Sequence, residues 1–188
     1  MNGTEKLQRL LDIVRDEIIP LSESEIQRGN HIFGSAIVRA DTLTSVMVGS
    51  DNRVENPLFH GEIDALNRFF KLPVRPSPKE LIFLSINDPC PMCASAIAWA
   101  GFEELWVLFE TKDAEADFSM PSADLMYRDL FGVEGIRAEN PYFEKHSLKK
   151  AISAGSNHEE LRKLLEEIIK RYDAMQPAPF DYPGNSSG

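Results

Sequence analysis

Apolar residues near the start recur at helical spacing: Leu7, Leu10, Leu11, Val14 and Ile18. Pro20 follows, so the pattern predicts an amphipathic first helix that stops there. Residues 31–49 hold two β-branched runs around "ADT" and read as a hairpin. "SDNRVENP" is a polar loop. From Gly61 to Phe70 the spacing is helical again, with Ile63, Leu66, Phe69 and Phe70 on one side. "LPVRPSP" must be loop, because its prolines lack donors and break helices. "ELIFLSI" (80–86) and "ELWVLFE" (104–110) read as buried strands. Between them "PCPMCASAIAWAGF" opens on prolines and reaches Gly101, the marks of a helix. Strand, helix and strand in this order form a parallel crossover unit. Further on, "PSADLMYRDLFG" reads as a short helix and "VEGIRA" as an edge strand. Asn157 with Glu160 resembles a capping box ahead of Leu161, Leu164, Leu165, Ile168 and Tyr172. The tail "PAPFDYPGNSSG" has no periodicity. The expected architecture is α/β: a three-layer α/β/α sandwich with a central mixed sheet of about five strands. One domain is expected over residues 1–188, with C-terminal helices and tail from 119 onward.

Composition narrows the partners. The chain has 188 residues, a hydrophobic fraction of 43% and a formal net charge of −10. Nucleic-acid binding draws on Lys and Arg to displace counterions, so this balance argues against a nucleic-acid partner. The bland reading of the acidic surplus is solubility. No apolar run is long enough to cross a bilayer, and the charged start "MNGTEKLQRLLDIVRDE" does not read as a secretory signal. A cytoplasmic protein without membrane attachment is expected.

The chemistry gathers in two short motifs. The only two cysteines fall in "PCPMC", as Cys90 and Cys93, and "HGE" lies at residues 60–62. By themselves two cysteines three apart are a redox pair, half of a metal site, or chance. Both motifs fall where a loop enters a helix, and helix N-termini favour thiolate. Two thiolates and an imidazole from His60 make three zinc ligands. No further cysteine exists to close the site, so an open fourth place for water follows. Glu62, two residues from His60, points elsewhere and suits a carboxylate that carries protons without ligating the metal.

H-x-E followed by P-C-x-x-C is the signature of zinc deaminases. On these residues the chain resembles the cytidine deaminase-like superfamily, in its nucleobase and tRNA-adenosine deaminase branch. The matching core is about residues 31–118. "HGE" is similar to fungal cytosine deaminases. "PCPMC" followed by small residues and "WAG" is similar to guanine and tRNA deaminases, and "TKDAEADF" (111–118) to guanine deaminases. The resemblance implies zinc held by His60, Cys90 and Cys93, with Glu62 as proton shuttle. It implies hydrolytic loss of an exocyclic amine, as ammonia, from a small heterocyclic substrate, with a lean to guanine-type bases and cytosine-type next. A tRNA adenosine deaminase and a silent zinc-stabilised binding module are the alternatives. Asn52 resembles a substrate-binding asparagine, although a turn would use it equally well. Backbone groups of Gly61 and Asp88 match positions that contact the base. Asp113 and Glu115 follow the second buried strand, where α/β sheets bind ligands; solvated loop carboxylates are the plainer reading. Phe118 could stack on a flat ring or pack in the core. Trp99 and Phe102 read as helix core or dimer contact, and relatives are usually homodimers.

Overall fold

The computed structural model describes residues 3–110, 123–156 and 158–175. Helix α1 (Gly3–Ile13) runs through a π-helical turn (Val14–Ile18) into α2 (Ile19–Gln27). Strands β1 (Gly34–Arg39) and β2 (Ser45–Ser50) form the expected hairpin, and α3 spans Gly61–Phe70. The crossover unit is β3 (Leu81–Asn87), α4 (Pro91–Ala100) and β4 (Glu104–Phe109). Then come α5 (Ala123–Phe131), β5 (Glu144–Ser147), α6 (Leu148–Ala154) and α7 (Glu159–Ala174).

The sheet order is β2-β1-β3-β4-β5. β1 pairs antiparallel with β2 and β3, while β3–β4 and β4–β5 are parallel. The expected mixed sheet of five strands is present. Alternation along β3 sends Leu84 and Ile86 into one core, with Leu10, Leu11, Ile18, Ile168 and Tyr172. Phe83 goes to the other face and packs with Leu66, Phe69, Ile97, Phe102 and Val107. Helices α1, α2, α6 and α7 therefore cover one face, and α3 and α4 the other.

Two glycines let α3 press onto the sheet. A Cβ at Gly49 of β2 would stand 2.5 Å from both the Gly61 carbonyl oxygen and the Ala65 nitrogen. One at Gly61 would stand 2.7 Å from the Phe33 carbonyl oxygen. Any larger side chain pushes α3 away, and with it the "HGE" turn.

Two expectations need correcting. Pro20 does not end the first helical run, which continues to Gln27. The turn ahead of it widens, with the Ile19 N–H bonded to the Val14 carbonyl, and a wide turn accommodates a residue with no N–H of its own. "VEGIRA" is not a strand: Gly135 within it has φ 144, outside the range of extended L-residues. The fifth strand is instead the polar "EKHS" of β5, held in place by β4, and α6 follows it directly. Asn157 and the tail 176–188 lie outside the described residues.

Candidate metal centre

His60 and Cys90 occupy equivalent places: each is the extended residue immediately before a helix, α3 and α4 respectively. Their helices pack side by side on one face of the sheet, so the two N-terminal ends meet. Cys93 is one turn into α4, on the same side as Cys90. The Cys90 and Cys93 sulfurs are 3.6 Å apart, and His60 Nδ1 lies 3.6 Å from Cys90 Sγ and 3.7 Å from Cys93 Sγ. A disulfide would need about 2.05 Å, so the thiols are unlinked. Tetrahedral zinc, with Zn–S of about 2.3 Å and Zn–N of about 2.0–2.1 Å, sets S···S near about 3.8 Å and S···N near about 3.6 Å. The three atoms have the spacing and the chemistry of a zinc donor set. Among the described residues, no further His, Cys, Asp or Glu joins the cluster.

Electrostatics agree with a cation site. When no metal is bound, Cys90 is pulled down to about 4, first by a hydrogen bond from Cys93 and then by His60. Cys93 is pushed up by holding that shared proton and by burial. Burial opposes a charge on His60, but the hydrogen bond and charge of Cys90 outweigh it and raise the imidazole. Glu62, in the first turn of α3, is 7% exposed. Burial, with the Cys90 charge beside it, lifts its carboxyl above the usual range. A buried carboxyl raised above its usual range is suited to both taking and giving a proton.

The turn carrying His60 is tied down by polar groups. Asp51 is fully buried and accepts from Arg53 Nε at 2.7 Å and from the His31 backbone N–H at 3.3 Å. The Val54 N–H donates to Asn30 Oδ1 at 2.9 Å. His31 is 6% exposed, and burial holds its pKa at about 4, against 6.5 for a free imidazole. A depressed histidine stabilises the fold fully above about 6.5, and that contribution is lost as pH falls toward 4. It amounts to at most about 3 kcal/mol. Urea titrations of parent and His31→Phe should show the parent losing more stability between those pH values. Parallel losses would contradict the assignment.

The remaining candidates divide. The Asn52 Nδ2 group donates to Glu55 at 2.6 Å, and its buried Oδ1 has no partner among the described residues. Gly61 is buried at the first position of α3. The Asp88 carboxylate pairs with Lys145 at 2.7 Å, both nearly buried, and its backbone N–H donates to Phe109. That N–H is thus occupied by the sheet. Asp113, Glu115 and Phe118 lie outside the described residues. Phe102 is core, whereas Trp99 is 91% exposed.

Sequence reasoning missed three residues near the centre. Ser85 donates to Glu62 Oε1 at 3.1 Å. Tyr127 of α5 donates to the Pro89 carbonyl at 3.0 Å, just ahead of Cys90. Lys145 closes the Asp88 pair. Only Ser85 carries a signal, as the one hydroxyl in an apolar strand.

Comparison with known proteins follows the same lines. Residues 12–109 match the family described as "Cytidine and deoxycytidylate deaminase zinc-binding region". A probable cytosine deaminase of Schizosaccharomyces pombe is 26% identical over 156 residues, covering 79% of this chain and 93% of that protein. The crystal structure of guanine deaminase from Bacillus subtilis superposes with a TM-score of 0.52 at 24% identity, over 75% of this chain and 82% of that one. A structure solved with 2,6-diaminopurine gives 0.52 at 18% identity, over 87% and 82%.

Proposed function

This chain belongs to the cytidine and deoxycytidylate deaminase zinc-binding family and is a zinc-dependent hydrolytic deaminase, and we propose that its substrate is a free nucleobase or nucleoside, guanine-type before cytosine-type. The observation that carries this reading is the donor set of His60, Cys90 and Cys93 at zinc spacing with a buried carboxyl, Glu62, beside it. Bound to the two thiolates and the imidazole, zinc supplies a water acidified enough to act as nucleophile at neutral pH.

The chain's own groups do the rest. Glu62 takes a proton from the attacking water and delivers it to the ring nitrogen beside the reacting carbon. It then passes the second water proton to the exocyclic amine. The carbon–nitrogen bond breaks, ammonia leaves and a carbonyl remains. Asn52 meets the substrate edge with its amide oxygen, which has no partner among the described residues.

The "TKDAEADF" stretch supports the guanine-type reading. "HGE" and the fission-yeast relative favour cytosine, the second reading. The acidic surplus speaks against tRNA. A screen of guanine, cytosine, adenine, their nucleosides, pterins and triazines for ammonia release separates these. Guanine deamination supports the first order of preference, and deamination of cytosine with guanine left intact overturns it.

The homodimer is also a proposal. Helix α4 contains no charged residue, yet its outer side is open and carries Trp99. A groove of ≈ 600 Å³ beside it is lined by Ala98, Phe131, Val133 and Tyr142 and includes none of the metal-centre residues. An uncharged helix with an open apolar side fits a second copy. Light scattering should give twice the chain mass, falling to one chain in Trp99→Glu; a monomeric parent contradicts it. Among the described residues no helix is long and apolar enough to cross a membrane. A cytoplasmic setting, where thiols stay reduced, suits unlinked Cys90 and Cys93.

A further inference from the structure

Ser85 stands on β3 in a run that is otherwise apolar, and it is 1% exposed. Strand alternation turns it to the side of Phe83, toward α3 and α4, away from the core that holds Leu84 and Ile86. A buried hydroxyl there is costly unless it is bonded. Its oxygen lies 3.1 Å from Glu62 Oε1 and 2.8 Å from the Asn87 carbonyl oxygen. One hydroxyl proton serves one acceptor at a time, and both oxygens lie within its reach.

We propose that Ser85 is a positioning residue: its hydroxyl fixes the rotation of the Glu62 carboxylate beside the His60–Cys90–Cys93 centre by holding Oε1. This rests on Glu62 as the proton carrier. A carboxylate on a two-bond stem can turn freely at its end, and proton transfer needs it aimed within hydrogen-bond reach of the reacting atoms. Helix α3 sets where Glu62 begins; β3, through Ser85, sets how its end is turned. The Asn87 carbonyl, three residues ahead of Cys90, lies within reach of the same hydroxyl. The strand that leads into the cysteine motif thus also holds the proton carrier, and one rigid element aligns both parts of the site.

The test compares the zinc-loaded full chain with Ser85→Ala and Ser85→Thr. In Ser85→Ala, kcat should fall about 10- to 100-fold, the loss of a hydrogen bond to a charged group. KM should stay within about twofold, since substrate binding is not touched. Zinc content should match the parent, and Ser85→Thr should recover most of kcat. A kcat within about twofold of the parent in Ser85→Ala overturns the proposal. So does a joint fall of kcat, zinc content and Tm that Ser85→Thr does not rescue, because that pattern is structural. A second readout needs no turnover: the side-chain carboxyl 13C resonance of Glu62, identified by its absence in Glu62→Gln. It should move in Ser85→Ala, and an unmoved resonance overturns the contact. If the parent releases no ammonia from any compound, the functional reading fails while the resonance still decides the role of Ser85.

Discussion

Glu62→Gln should abolish most turnover, with ammonia release falling about 10²- to 10⁴-fold, while zinc content stays at one per chain. Gln keeps the volume of Glu and a carbonyl oxygen for the Ser85 hydroxyl, so the packing under α3 is preserved. What it loses is the capacity to carry a proton. Glu62 is buried and burial raises its carboxyl, so removing the ionisable group removes a charge that the site disfavours. The expected Tm is therefore close to that of the parent. Isothermal ammonia assays, metal analysis and a thermal melt on the same sample check all three parts. Full ammonia release from Glu62→Gln sinks the assignment of Glu62 as proton carrier. Loss of zinc along with activity would instead make Glu62 part of the donor set.

Cys90→Ser should give the opposite combination: zinc lost, activity at background and a weakened fold. A serine hydroxyl does not ionise near neutral pH, whereas Cys90 is drawn down to about 4 by its neighbours and meets a cation already charged. His60 and Cys90 stand at the starts of two separate helices, so metal joins α3 to α4. Anything that binds the folded chain alone stabilises it, by about 2.7 kcal/mol at a hundredfold excess over Kd. For a chain of this size that is about 5–10 °C in Tm. Stripping the parent with a strong chelator should lower Tm by the same margin, and zinc should restore it. A chelator-insensitive melt in both proteins would contradict a cation between the helices.

The metal centre is legible in the sequence because its parts are local. Each half is a few residues long, and each sits at a helix start marked by glycine or proline, so the bounds of α3 and α4 follow from punctuation. That the halves meet follows from one crossover unit and one sheet face. What escapes such reading depends on long-range neighbours. Strand β5 is four residues with no apolar alternation and exists because β4 pairs with it. "VEGIRA" has the β-branched residues of a strand, but Gly135 turns the backbone away. Pro20 reads as a stop because the widened turn before it leaves no trace in residue spacing. Lys145 is 57 residues from Asp88, and no local pattern pairs them. Ser85 lies between these cases: alternation along β3 puts its hydroxyl on the α3 side, but only the packed structure brings Glu62 to it.

Ammonia release by the zinc-loaded chain, measured across the panel of bases and nucleosides with Glu62→Gln as the paired control, tests the central claim most directly. The expected result is stoichiometric ammonia from at least one purine or pyrimidine, dependent on zinc and lost in the variant. Zinc bound at one per chain with no ammonia from any compound, or equal ammonia from parent and variant, would contradict it.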